Sequence, residues 1–336
     1  MQIRAVRSTT AWSRRSPLLV LSIVIVNWNT RDMLKDCLFS IRQTADPTLV
    51  KVIVVDNASE DGSWEMVKEH YPEVALINSG GNIGFGRANN LGVANADTPL
   101  VLFLNPDTIV KEKAIARMIE FMQEHPDVGA LGSKMMFPDG RIHGLGLQRF
   151  PSPLTELFNL LFVSGDTIGR LKKILPYKDP NTSGYVSKLY GGCLLVRREI
   201  LEKVGGFDER YFMYGEDVDL CKRILDGGWK LYYLSEAEII HLVAGASGNS
   251  SNQFSTLMKC ESIFKLMKKH YGQSGAVLYR TIIFTGSLTR LLLLVILLTI
   301  SSFSPLGMNF PYEKSFQKYT TMIKWSLNLK KPIIKN

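Results

Sequence analysis

Acidic and amide side chains recur in this chain at spacings that can do chemistry. Asn27 and Asn29 close one apolar run, Asp56 and Asn57 a second, Asn78 a third, and Asn105 and Asp107 a fourth. Farther along, Glu216, Asp217 and Asp219 fall within four residues, and His241 stands ahead of a small-residue stretch. Carboxylates and amides gathered on one rim can take ribose hydroxyls and base edges through hydrogen bonds. One aspartate beside substrate phosphates can seat Mg²⁺ or Mn²⁺, which accept carboxylate and phosphate oxygens in place of an all-protein cage. A carboxylate aimed into a cleft can deprotonate a hydroxyl as general base. Each residue also has a plainer reading. Asp61 and Asp107 can cap the helices that follow, first-turn acids at 216–219 suit a helix dipole, and a lone histidine is usually structural. Four successive runs ending in Asp or Asn weigh against capping as the whole explanation.

A glycine cluster, Gly80-Gly81-Asn82-Ile83-Gly84-Phe85-Gly86, precedes Arg87, Asn89 and Asn90. It reads either as a phosphate cradle or as a tight turn. It matches neither GxGxxG nor the GK[ST] loop, and no glycine lies between Ser22 and Lys51, so a dinucleotide-binding dehydrogenase is excluded.

These residues need strands to carry them. Residues 18–27 form an unbroken apolar, β-branched run, the pattern of a strand buried on both faces of a parallel sheet. Further strands are expected at 50–55, 74–78, 99–104 and 190–197, with helices at 30–43, 63–70, 83–96, 114–124 and 198–204. Short links between alternating strands and helices predict right-handed βαβ units and an α/β fold with a doubly wound, mainly parallel, Rossmann-like sheet. In such sheets ligands bind outside the carboxyl ends of the strands, where the Asp and Asn residues fall. Between 132 and 185 the pattern is broken by Pro and Gly and gives no firm elements.

The 336 residues suffice for a large core, and 46% hydrophobic with 21% charged residues excludes a disordered chain. The net charge of +9 is concentrated at the ends. Four arginines and no acid occupy the first 16 residues, and twelve Lys/Arg face only Glu261 and Glu313 beyond residue 250. The centre is therefore mildly acidic, which argues against a nucleic-acid groove and suits ends that meet an anionic membrane surface. Residues 254–271 read as a basic amphipathic helix. Residues 276–303 are largely apolar but interrupted by Arg280 and Arg290, which favours an interfacial or partly inserted helix over a clean span, with a buried helical hairpin as the alternative. The domain expectation is a basic segment at 1–17, a catalytic domain at 18–250 and a membrane-associating region at 251–336. Cys37, Cys193, Cys221 and Cys260 lack metal-site or paired spacing and read as core thiols. The sequons at Asn57, Asn181 and Asn249 are read as chance, there being no secretory signal pattern.

Six motifs occur in order: SIVIVNWN at 22–29, VVDNASEDGS at 54–63, NIGFGRANNLG at 82–92, FLNPD at 103–107, GGFDERYFMYGEDVDLCKRILDGGWK at 205–230 and HLVAGAS at 241–247. Together they resemble family-2 glycosyltransferases, and within these the rhamnosyltransferase-like branch of bacterial cell-surface polysaccharide assembly. The resemblance implies a GT-A fold, a divalent cation (Mn²⁺ or Mg²⁺), a nucleotide-diphosphate sugar donor and inversion by direct displacement. It implies that Asp56 holds the base or ribose, with Asn27, Asn29, Asn57, Gly84 and Asn90 on the same binding surface, and that Arg87 lies near the diphosphate. Asp107 matches the last acid of a DXD metal motif whose first position is here Asn105, and His241 matches a histidine that completes the metal site. Asp217 matches the catalytic base with Glu216 beside it, and Gly191, Gly192 and Cys193 match a loop beside the donor sugar. The acceptor expected is a lipid-linked saccharide at the cytoplasmic face of the cell membrane. Rhamnose from dTDP-rhamnose is the leading donor. Galactofuranose, hexosamine and hexose donors are the alternatives, as is a non-catalytic sugar-binding subunit.

Overall fold

The computed structural model describes residues 19–143, 150–161, 179–242, 252–302 and 312–332. The basic segment at 1–17, the tail of the last motif beyond Leu242 and the sequon at Asn249 lie outside them.

Nine strands form one mixed sheet among the described residues: β1 Leu21–Asn27, β2 Val50–Asp56, β3 Ala75–Asn78, β4 Leu100–Leu104, β5 Thr108–Val110, β6 Val128–Met136, β7 Gly184–Val186, β8 Cys193–Arg197 and β9 Lys230–His241. The order is β3-β2-β1-β4-β8-β6-β9-β5, with β7 also on β9. β1, β2, β3 and β4 are parallel neighbours, in register so that Asn27 sits opposite Asp56 and Asp56 opposite Asn78. The chain runs outward through β2 and β3 and then returns to place β4 on the other side of β1. That reversal opens a crevice at the carboxyl ends of β1 and β4.

Every residue of β1 is buried, as its aliphatic run predicts. Leu21, Ile23 and Ile25 face one layer with Leu34, Cys37, Leu38 and Ile41 of helix α1 (Arg31–Thr44) and Met118 and Met122 of α4 (Ala114–Glu124). Val24 and Val26 face the opposite layer with Ala88 of α3 (Phe85–Ala94), Ile200 of α6 (Arg198–Val204), and Leu220 and Ile224 of α7 (Glu216–Asp226). Helix α2 (Ser63–His70) joins the first layer through Met66 and Val67. The two periods, two for strands and 3.6 for helices, thus produce a three-layer sandwich.

Four strands, β5, β6, β7 and β9, escape a reading of periodicity. β6 contains Gly129 and Gly132, which lie close beneath Trp229 and Leu189, where a Cβ would stand 2.8 and 2.6 Å from side-chain atoms. β9 carries Ser235, Glu236 and Glu238. Glu238 is paired with Lys111 at 2.6 Å and Lys134 at 3.3 Å, so charge is tolerated on this strand because neighbouring lysines meet it.

The C-terminal part is helical. Helix α5 (Pro153–Leu161) packs on α8 (Asn252–Ser302), a 51-residue run bent at Gly272, where φ is +68°. Helix α9 (Tyr312–Ser326) folds back on it. Trp325 is buried and donates through Nε1 to Glu261 Oε2 at 3.0 Å. The two arginines that interrupt the apolar run are covered by this hairpin. The Arg280 guanidinium lies 4.6 Å from the Phe264 ring centroid and 5.1 Å from that of Trp325, and Arg290 donates to the Tyr319 hydroxyl at 2.8 Å. Leu292, Leu293, Val295, Ile296 and Leu297 beyond them are exposed. By length and composition α8 is one helix able to cross a membrane.

Gly92 sits where α3 meets the sheet, and a Cβ there would stand 2.3 Å from Val24 Cγ1. We expect Gly92→Ala to destabilise the fold by about 1–3 kcal/mol through overpacking, read as a lower urea midpoint with unchanged slope.

Candidate active site

The carboxyl rim is assembled by hydrogen bonds between strand ends. Asn27 is fully buried. Its amide donates to Asp56 Oδ2 at 3.2 Å and Ser59 Oγ at 2.9 Å, while its oxygen accepts from Thr30 Oγ1 at 2.6 Å. Asp56 Oδ1 accepts from the Ser59 N–H at 2.9 Å. Asn29, with φ +53°, accepts from the Glu60 N–H at 2.7 Å. Asn57 is buried too, donating to Asn82 Oδ1 at 2.9 Å and accepting from the Ile83 N–H at 3.0 Å. Asn27 and Asn57 therefore brace the rim, and Asp56 sits on it between them. Asp61 accepts from the N–H of Arg31 at 2.8 Å and of Ser63 at 3.1 Å, so it ties α1 to the start of α2.

The glycine cluster also makes a long-range contact. Gly84 has φ +86°, and a Cβ on it would stand 2.7 Å from the Phe212 carbonyl oxygen, which accepts from the Phe85 N–H at 2.8 Å. Asn90 holds Phe207 from both sides, donating to its carbonyl at 2.9 Å and accepting from its N–H at 2.8 Å. Arg87 pairs with Glu209 at 3.0 Å, both about half exposed. Gly84, Arg87 and Asn90 thus hold residues 206–212, the loop leading to the acid pair.

Asp107 and His241 meet because of the sheet. Thr108 of β5 sits opposite His241 of β9, and the Leu242 N–H donates to the Asp107 carbonyl at 2.9 Å. This places His241 Nε2 3.3 Å from Asp107 Oδ1. Asp107 is 5% exposed, and His241 Nδ1 is buried without a hydrogen-bond partner among the described residues. His143, which the sequence did not single out, completes the group. Its ring lies 5.2 Å from that of His241, stacks on Phe137 at 3.8 Å, and has a buried Nε2 without a partner among the described residues. Burial and the neighbouring His241 lower its pKa, which favours the neutral imidazole.

Among the described residues no three His, Cys, Asp or Glu converge as a metal cage. Asp107 and His241 can furnish two ligands at most. One carboxylate and one imidazole fit a divalent cation whose remaining ligands are phosphate oxygens.

Glu216 and Asp217 open α7 behind Gly215, whose φ is +82°. Asp217 Oδ2 accepts from the Gly191 N–H at 2.9 Å and Oδ1 from the Val218 N–H at 2.8 Å. Gly191 approaches so closely that a Cβ would stand 3.1 Å from Asp217 Cβ. The next residue, Gly192, accepts from the Asn105 N–H at 3.0 Å, and a Cβ there would stand 2.9 Å from Met135 Cε. Asn105 thereby acts through its backbone, with its carbonyl also accepting from Thr108 Oγ1 at 2.7 Å. The two glycines bridge the acid pair to the Asp107–His241 group. Lys188, half-buried three residues earlier, also escaped the sequence reading. Burial lowers its pKa while Asp217 and Glu156 oppose that shift.

The four cysteines are free and buried. Burial pushes the thiols of Cys37, Cys193, Cys221 and Cys260 up to about 12, so none is a thiolate nucleophile.

The family model for glycosyl transferase family 2 matches residues 22–205 of this chain. The chain belongs to glycosyl transferase family 2. A second model, for the N-terminal domain of galactosyltransferase, matches residues 174–243, the part that carries Gly191, Asp217 and His241. An N-acetylglucosaminyl-diphospho-decaprenol L-rhamnosyltransferase of Mycobacterium tuberculosis is 33% identical over 246 residues, 68% of this chain and 78% of that protein. Rhamnosyltransferase WbbL of Escherichia coli is 32% identical over 228 residues, 65% of this chain and 82% of that protein. The solved mannosyltransferase PcManGT of Pyrobaculum calidifontis, in complex with GDP-Man and Mn²⁺, superposes with a TM-score of 0.58 at 15% identity, over 95% of this chain and 90% of its own. That likeness confirms the GT-A arrangement of this family-2 chain. The chain is a glycosyltransferase by family, with relatives in polysaccharide biosynthesis.

Burial first, and Asp217 second, push the Glu216 carboxyl up to about 8, and its Oε2 has no partner among the described residues. Burial also raises Asp217, against the N–H groups of Gly191 and Val218 and the Lys188 charge. An acid whose folded pKa exceeds its unfolded value of 4.5 stabilises the fold below that value, and the stability is lost as pH rises toward about 8. Glu216→Gln is therefore expected to be more stable than the parent above pH 8 by at least about 1 kcal/mol, the gap closing below pH 4.5. Melting curves over that range check this, and parallel curves would show that Glu216 ionises normally.

Proposed function

We propose that this chain transfers a sugar, with rhamnose from dTDP-rhamnose as the leading donor, to a hydroxyl of a lipid-linked saccharide with inversion at the anomeric carbon. The observation that carries the reading is the Gly191–Gly192 bridge. It holds a half-buried proton acceptor, Asp217, on one side and the Asp107–His241 group on the other. A displacement needs such a pair of poles, one taking the acceptor proton and one stabilising the departing diphosphate.

In this reading the nucleotide lies on the rim at Asp56 and Asn29, and the diphosphate is directed to Asp107. Asp217 accepts the proton of the attacking hydroxyl while the new C–O bond forms and the bond to the diphosphate oxygen breaks. The Gly191 and Val218 N–H groups fix its two oxygens, so its orientation is set before the acceptor arrives. Burial raises its proton affinity. A divalent cation held by Asp107 and His241 would neutralise charge on the leaving diphosphate. The relatives whose names specify rhamnosyl transfer, one of them with a diphospho-decaprenol sugar, support the choice of donor and acceptor class.

In this reading the enzyme meets its lipid-linked acceptor at a membrane, and we infer the cytoplasmic face. The exposed apolar stretch from Leu288 to Leu297, with Arg280 and Arg290 covered, supports contact of α8 with the bilayer.

Purified protein incubated with a panel of nucleotide sugars should release nucleoside diphosphate from one of them, dTDP-rhamnose first, and chelation should abolish the release. Asp217→Asn should lower transfer by at least about a hundredfold while donor binding survives. Near-parental transfer by that variant would remove Asp217 from the role of base. Silence from the parent across all donors, with lipid-linked acceptors from membrane extract added, would favour a non-catalytic sugar-binding subunit. For the membrane, replacing Leu292, Leu293 and Leu297 together with Asn should move the protein from the vesicle-bound to the free fraction in flotation. An unchanged bound fraction would assign the contact to another segment.

A further inference from the structure

The limb of α8 before Gly272 is tied to the helix that opens with the acid pair. Asp219, two residues after Asp217, is 0% exposed. Its Oδ2 accepts from Arg223 Nε at 2.7 Å, and its Oδ1 lies 2.7 Å from Lys269 Nζ and 3.2 Å from His270 Nε2. Lys269 also reaches Asp208 at 2.8 Å, and Asp208 is gripped by Arg210. Those two cations hold the Asp208 carboxyl well below the usual carboxylate range.

The same limb supports the turn that launches the acid pair. Lys265 Nζ donates to the Arg210 carbonyl at 2.8 Å, and Ser262 Oγ donates to the Met213 carbonyl at 2.8 Å. The Lys259 ammonium lies 5.0 Å from the Tyr214 ring centroid. That support matters because two consecutive residues, Tyr214 at φ +67° and Gly215 at φ +82°, are left-handed. A bulky side chain holds such a conformation only where its surroundings over-determine it.

We propose that Lys269 and Asp219 are positioning residues for transfer. Through them the limb at 252–271 fixes the first turn of α7 and so sets where Glu216 and Asp217 stand. This rests on the reading of Asp217 as the acceptor-side base. It makes the segment that leads to the apolar end of the chain part of the reaction geometry and not only a tether. A buried carboxylate deprived of one cation must recruit water or move. A displacement of about 1 Å at a reacting group lowers rate by up to about a hundredfold without weakening remote binding.

The test compares full-length parent, Lys269→Met, Lys269→Arg and Lys268→Met, using dTDP-rhamnose or whichever panel donor the parent uses, with lipid-linked acceptor from membrane extract. Lys268 is the control, being exposed on the same limb. Lys269→Met should lower kcat by about tenfold or more with donor KM within about twofold. Lys269→Arg should recover most of the rate, and Lys268→Met should match the parent. Parental kcat in folded Lys269→Met overturns the inference, as does a kcat loss matched by an equal loss of donor affinity. Should Lys269→Met fail to fold, Asp219→Asn, which keeps volume and polarity, must show the same kcat-selective loss. Failure of both to fold would make the network structural and overturn the positioning role. A parent inactive with every donor would instead sink the transfer reading itself, and this inference with it.

Discussion

The site depends on two consecutive backbone contacts, the Gly191 N–H to the Asp217 carboxylate and the Asn105 N–H to the Gly192 carbonyl. They join the first turn of α7 to the end of β4, elements separated by more than a hundred residues of chain. β8 pairs antiparallel with β4, so Cys193 lies opposite Leu104 and the two preceding glycines fall on the carboxyl rim. A Cβ at 191 would crowd Asp217 at 3.1 Å and one at 192 would displace the Met135 methyl at 2.9 Å, so glycine eases the approach at both positions. Without that bridge the acid pair and the Asp107–His241 group would have no fixed separation.

Around the bridge the protein leaves polar groups short of partners. Glu216 Oε2, His241 Nδ1 and His143 Nε2 are buried and unbonded among the described residues. Elsewhere buried polar groups on the rim are satisfied, as the hydrogen bonds of Asn27 and Asn57 show. An unmade buried hydrogen bond costs about 1–3 kcal/mol.

The C-terminal helices combine two roles that composition had set apart. Their polar limb reaches into the catalytic layer through Lys265, Lys269 and Ser262, while their far end presents leucines to the surroundings. Gly272 separates the two directions with a single left-handed residue. The charges that break the apolar run at Arg280 and Arg290 are absorbed by Phe264, Trp325 and Tyr319, so the hairpin and the membrane-facing readings describe different stretches of one helix.

Aliphatic runs and helical periodicity in the sequence alone determined the first four parallel strands, their helices and the rim of Asn and Asp residues. Burial on both faces leaves a β-branched pattern in β1 and β2. The ordered motifs likewise marked Asp107, Asp217 and His241. Only the tertiary structure decided that Gly84, Arg87 and Asn90 hold the 206–212 loop, because their partners Phe207, Glu209 and Phe212 lie more than a hundred residues away. It alone revealed β9, whose Glu238 is neutralised by Lys111 and Lys134 from other elements, and it alone brought in His143, Lys188 and Lys269. Periodicity reports which face of a segment is buried. It carries no record of which distant side chain will meet a charge, and here that meeting is what builds the site.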